Sequence, residues 1–289
     1  MEATVFKRFA VVVLLLLAGP AWADPALWVA RGPRANVYIL GSVHMLRPGV
    51  TWESPAIRRA FDEARECWFE AVLPDDPAAM QTMMISMGLD PAHKLTDLLP
   101  PNRRAQFEEL AASTGMGAAM QAMRPWLAAV VLVGQPLLKA GYDPALGVDT
   151  VLQARAKAAG KPIAGIETAE AQMQLLSGLP PDLALKFLLS ALDDAAEGPA
   201  LVERMVGLWQ SADTDGLASV VTGRLLREAP ELYRIVFTRR NEVFARAVQG
   251  LLAGDQTVLV TVGAGHLAGP DNVRDLLERK GVKVERVAE

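Results

Sequence analysis

The chain has 289 residues, 51% of them hydrophobic, and a formal net charge of −4. That length allows one large domain or two modest ones with a sizeable core. The slightly acidic balance excludes the basic footprint through which proteins bind nucleic acid or anionic membrane, and the single cysteine, Cys67, excludes an internal disulfide.

Residues 1–23 read as a cleaved secretory signal. Lys7 and Arg8 form the positive start, and Phe9 to Ala18 an apolar stretch of about ten residues, short of the ~20 that a spanning helix needs. Gly19-Pro20 breaks it, and Ala21-Trp22-Ala23 offers small residues at the cleavage positions before Asp24. The mature chain is therefore expected to be secreted, or periplasmic where an outer membrane exists, with no stable membrane anchor once the signal is removed.

Leu27 to Arg31, a Gly32-Pro33 break and Val37 to Leu40 read as a hairpin leading into Gly41-Ser42-Val43-His44. Ser54 and Pro55 match an N-cap and first helical position. Glu66 to Leu73 reads as a buried strand containing a carboxylate, with Cys67 as a small buried hydrophobe. From about 75 to 146 the pattern turns helical and methionine-rich, and its apolar run at 125–140 is read as a core helix. Gly147-Val148-Asp149 opens another helix, with Asp149 serving its N-terminus. Ile163 to Glu167 is a short strand ending in a second carboxylate, and Thr168 caps the next helix. Residues 181–250 are expected to hold three or four helices, the last starting at Ala229-Pro230. Strand 257–262, the loop Gly263-Ala264-Gly265-His266, a helix over 270–280 and strand 282–286 close the chain as a βαβ unit, predicted parallel with a right-handed crossover. The whole reads as one α/β domain over 24–289: a mixed, mainly parallel sheet flanked by helices, with a helical insertion at about 75–146.

Two of the three histidines, His44 and His266, follow a strand in the same Gly-x-x-His setting about 220 residues apart. In a parallel sheet, side chains just past the carboxyl ends of strands converge on one edge. His44, Glu70, Glu167 and His266 meet that description if their strands are neighbours. Gly41, Gly263 and Gly265 are expected to let the chain turn sharply and let backbone approach a bound ligand. Two imidazoles with one or two carboxylates form a common ligand set for a divalent metal. Such a metal would activate water for amide hydrolysis, and whichever of Glu70 and Glu167 is not a ligand could take the water's proton. Arg240 and Asn241 supply a cation and an amide for an oxyanion if their helix face points inward.

Bland readings stand beside these. A structural ion pair would satisfy Glu70 as well as a metal, and Glu167 also reads as a helix-capping acid. Arg239 and Arg240 read from spacing as a solvated helix face, and His93 as an exposed, incidental residue.

Taken together, Val37 to His44, Phe69-Glu70, Pro125-Trp126, Leu146 to Asp149, Gly165-Ile166-Glu167-Thr168 with Gln172, Arg240-Asn241 and Gly263 to Gly269 resemble the TraB/GumN proteins, relatives of the Tiki membrane metalloproteases. The resemblance spans roughly residues 27–287. It implies a sheet core shared with erythromycin-esterase-like and haem-binding ChaN-like proteins. For the Tiki branch it implies metal-dependent peptide cleavage with manganese or cobalt, held by the two motif histidines and a glutamate; the donor types also admit zinc. Those roles would fall on His44, His266 and Glu70, with Arg240 and Asn241 in the pocket, and the substrate would be a peptide or small molecule. The TraB branch is tied to shutting down a peptide pheromone. The alternative is a non-catalytic periplasmic binding protein, for haem or another ligand, with Tyr38 expected near the site.

Overall fold

The computed structural model describes residues 24–74 and 76–288; the signal-like stretch 1–23 lies outside the described residues. Six strands make one sheet: β1 Leu27–Arg31, β2 Asn36–Ser42, β3 Glu66–Val72, β4 Ile163–Thr168, β5 Thr257–Gly263 and β6 Val284–Arg286. Their order is β4-β3-β5-β2-β1-β6. β1 and β2 form the antiparallel hairpin expected from the sequence, with Leu27 opposite Leu40. The β2–β5, β5–β3 and β3–β4 pairs are all parallel. The four strands that carry His44, Glu70, Glu167 and His266 are thus consecutive parallel neighbours.

Helices cover both faces, which is why β5 is apolar almost without interruption and buried from Val258 to Gly263. One face packs against Phe61, Leu152, Trp209 and Leu217 from four helices. The other packs against Phe244 and Val248 of the Arg239–Leu252 helix and Val273 and Leu277 of the Val273–Glu278 helix. The segment after β3 has a core of its own, in which Phe107, Trp126 and Leu132 meet Leu188 and Leu192 of the Pro181–Glu197 helix. The apolar run at 125–140 becomes the Pro125–Lys139 helix, buried along Trp126, Leu127, Ala128, Ala129 and Leu132, as a core helix should be. No single helix among the described residues is long and apolar enough to cross a membrane.

Local signals hold well. Ser54 caps the Pro55–Glu63 helix by accepting from Ile57 N–H, and Thr168 caps Ala169–Ser177 by accepting from Ala171 N–H. Cys67 is fully buried, and burial pushes its thiol up to about 11.

Two expectations need correction. β6 runs parallel to β5, but the two are not neighbours: β2 and β1 lie between them, and β6 pairs antiparallel with β1. The edge beside β5 is already taken by β2 and β3, so the last strand finds a partner only at the far side. Residues 181–250 also hold more helices than three or four: Pro181–Glu197, Pro199–Gln210, Thr214–Val221, Gly223–Glu228 and a run from Pro230 to Leu252. The first break is Gly198, at φ +60, which ends one helix and lets Pro199 start the next. Within the last run, Arg234–Thr238 forms a π-turn directly before Arg239–Leu252, a feature that often marks functional sites.

Candidate functional site

Parallel register brings the predicted residues to one rim. Ser42 pairs with Gly263, so the two Gly-x-x-His loops leave the sheet side by side. Glu70 follows the Phe69–Thr261 pair, and Glu167 stands opposite Ala71. The convergence centres on Gly263. A Cβ placed there would lie 3.2 Å from Glu70 Oε2, 3.5 Å from His44 Nε2 and 3.5 Å from His266 Cδ2. Any side chain at 263 would fill the space between those three groups.

None of Gly41, Gly263 or Gly265 has a positive φ, so what matters at them is small size rather than a left-handed backbone. At Gly263 the chain passes straight from β5 into a 3-10 turn, Ala264–Leu267. A Cβ on Gly41 would press on Ala264 at 3.1 Å, and one on Gly265 would meet Phe237 and Val221 at 3.1 Å. Their small size lets the two loops and the π-turn close on one another.

Each imidazole is held by an oxygen at Nδ1. His44 Nδ1 lies 3.1 Å from Asp149 Oδ1, and Asp149 sits in the first turn of the Val148–Ala158 helix. That helix docks through the Val148 N–H to Val43 C=O bond. His266 Nδ1 lies 2.6 Å from Asn241 Oδ1, while Asn241 Nδ2 donates to Asp271 C=O, which fixes the amide with its oxygen toward the ring. His266 therefore carries its proton on Nδ1 and presents a lone pair at Nε2, where Arg240 Nη1 donates at 3.2 Å. Phe244 meets the ring edge-on at 4.9 Å and Phe237 lies 5.2 Å away.

Glu70 is saturated. Oε1 accepts from Arg240 Nη2 and Gln172 Nε2, and Oε2 accepts from Gly263 N–H at 2.7 Å. Burial would raise its pKa, but His266, Arg240, His44 and the Gly263 bond hold it down at about 2. Burial dominates at His266, and with Arg240 and His44 lowers it to about 4 against the pull of Glu70. His44 moves the other way. It lies deep among neighbours yet faces an open cavity that leaves 62% of its side chain in contact with water. Desolvation lowers its pKa, but the Asp149 bond and charge, with Glu70, outweigh that and raise it to about 9.

Arg240 is no solvated surface residue. Its side chain is 12% exposed, and it grips Glu167 through Nε at 3.0 and 3.1 Å and through Nη2. Glu167 spends its oxygens there and on Gln172, while Thr168 does the helix capping. Arg239, by contrast, is exposed, as the solvated reading had it. His93 is also exposed and pairs with Asp90. Tyr38 lies mid-strand, opposite Val29 and Leu259, and donates to Glu63, so it is not at the site.

Sequence reasoning missed two participants. From spacing alone Asp149 reads as a helix N-terminal acid, and nothing assigns Gln172 a task. A metal-type histidine needs an oxygen acceptor on its second nitrogen, and that requirement could have singled out Asp149.

The site opens into adjoining cavities. One of about 320 Å³, lined by Asp149, Thr150, Gln172 and Thr261, shares Ser42, His44 and Glu70 with another of about 300 Å³. The second is walled by Val202, Met205, Leu217 and Val221 and shares Val221, Val236 and Phe237 with an apolar cavity of about 410 Å³. Both cavities are walled mainly by apolar surface, and Ser42, His44 and Glu70 lie where they meet. The hydroxyl of Thr261 is buried without a hydrogen-bond partner.

The model of the TraB/PrgY/gumN family matches residues 26–286. The chain is similar to proteins named "Uncharacterized protein YbaP" from Escherichia coli K12 and from Shigella flexneri. Each is 23% identical over 263 residues, covering 90% of this chain and 95% of the relative. No solved structure matches it significantly.

Proposed function

This chain belongs to the TraB/PrgY/gumN family, and we propose that it is a secreted or periplasmic metal-dependent hydrolase that cleaves peptide bonds. The observation that carries this reading is the meeting of His44, His266 and Glu70 around Gly263.

The donor chemistry fits a divalent ion such as manganese, cobalt or zinc. Two imidazoles are fixed at Nδ1 by Asp149 and Asn241, which turns each Nε2 toward the centre, where His266 Nε2 meets Arg240, and a buried carboxylate stands beside them. A bound divalent ion supplies Lewis acidity and lowers the pKa of its water towards neutrality. The chain's own residues do the remaining work. Asp149 and Asn241 set the tautomer and aim of each ring. Gln172 and Gly263 N–H hold Glu70 in place. Glu167 anchors Arg240, whose charge offsets one of the two carboxylates. The two cavities that meet at His44 and Glu70 give an extended substrate room on either side of His44, and their apolar walls suit a peptide with apolar side chains.

Metal analysis and a peptide-library digest test the reading together. The protein loaded with manganese, cobalt or zinc should bind the ion and cut peptides, and His44→Ala or His266→Ala should abolish both. A protein that binds none of these ions and cuts nothing would sink it. Protein recovered outside the cytoplasm should begin at Asp24.

A further inference from the structure

The proposed ligands are already partly spoken for. Arg240 Nη2 bonds Glu70 Oε1 and Nη1 lies 3.2 Å from His266 Nε2, so one edge of the guanidinium takes lone pairs from two of the three ligands. The other edge, Nε with Nη2, holds Glu167. Arg240 is charged, as a guanidinium in a protein always is. As arranged, no three His, Cys, Asp or Glu side chains among the described residues are set to hold a metal ion. Charge explains the competition. Glu70 and Glu167 carry two negative charges, and Arg240 neutralises one. Without Arg240 the pair would match a divalent cation. Arg240 also lies over the Phe244 ring at 5.4 Å, which leaves it a second favourable contact beside Glu167.

We propose that Arg240 is the resident cation of this site, and that a divalent ion reaches Glu70 and His266 only by displacing its guanidinium, which then stays anchored on Glu167. The inference rests on the metal-site reading above. It makes the protein one whose metal affinity is set by an internal competitor.

The test is a cobalt(II) titration followed by visible absorption, with manganese(II) binding by calorimetry, on the wild type and Arg240→Gln. We expect Arg240→Gln to bind cobalt at least about tenfold more tightly, because one nearby positive charge is gone, and Arg240→Gln/His266→Ala to lose that gain. Cobalt should also raise the unfolding temperature of Arg240→Gln more than that of the wild type. Equal affinities would overturn the competition while leaving the metal site standing. If neither protein binds cobalt or manganese, the metal reading fails, and this inference with it. Should Arg240→Gln not fold, Arg240→Lys serves: a point charge cannot span Glu70, Glu167 and His266 together. Its affinity should exceed that of the wild type, and one no better would also overturn the proposal.

Discussion

The two Gly-x-x-His loops share a sequence pattern and a rim, yet they build opposite surroundings. His44 stands at the cavity with 62% of its side chain exposed and a carboxylate behind it. His266 is 7% exposed, backed by an amide and enclosed by Phe237 and Phe244. One ring is pushed towards the cation and the other held neutral. What separates them is the helix that docks on each. Val148–Ala158 brings Asp149 to a wet edge, and Arg239–Leu252 brings Asn241 and Phe244 to a dry one. Each loop delivers a histidine; its neighbours decide which protonation state that histidine takes.

Substitution to alanine should expose the contrast most strongly. His266→Ala removes a buried ring and strands Asn241, so a loss of about 3 kcal/mol in denaturant unfolding is expected. His44→Ala should cost under about 1 kcal/mol, since its ring is mostly in water. Equal losses would break the comparison.

Exchanging the anchors comes next. In a histidine NMR titration, Asp149→Asn should lower the His44 pKa and Asn241→Asp should raise that of His266. Unmoved values would show that burial alone sets both rings.

The same shifts fix the pH dependence of stability in the metal-free protein. Glu70, held at about 2, contributes stability above its ordinary value of 4.5 that is lost as pH falls towards 2. His266, held at about 4, must stay neutral in the fold, so stability also falls as pH drops from 6.5 to 4. His44, raised to about 9, works in the opposite sense: its contribution is full below 6.5 and lost as pH climbs through 9, a shallower effect because water screens it. Urea midpoints from pH 3 to 10 should therefore peak near neutrality. A midpoint still rising steadily beyond pH 8 would contradict the His44 assignment.

The smallest effect is expected at Thr261. Its buried hydroxyl has no partner, so Thr261→Val should be neutral or stabilise by up to about 1 kcal/mol. A clear loss in unfolding temperature would mean that the hydroxyl is satisfied in solution.

The sequence by itself determined the strands, the caps at Ser54 and Thr168, the core helix at 125–139 and the two histidine loops, because each is written in residues a few positions apart. It also placed His44, Glu70, Glu167 and His266 at strand ends. Only the tertiary structure decided that β6 lies beyond β1, that Gly41, Gly263 and Gly265 serve close packing, and that Arg240 turns inward to join Glu70, Glu167 and His266. Those outcomes depend on which strand edge is free and which helix docks where. The contacts involved link residues as far apart as Glu70 and Arg240, and no short-range pattern encodes such a pairing.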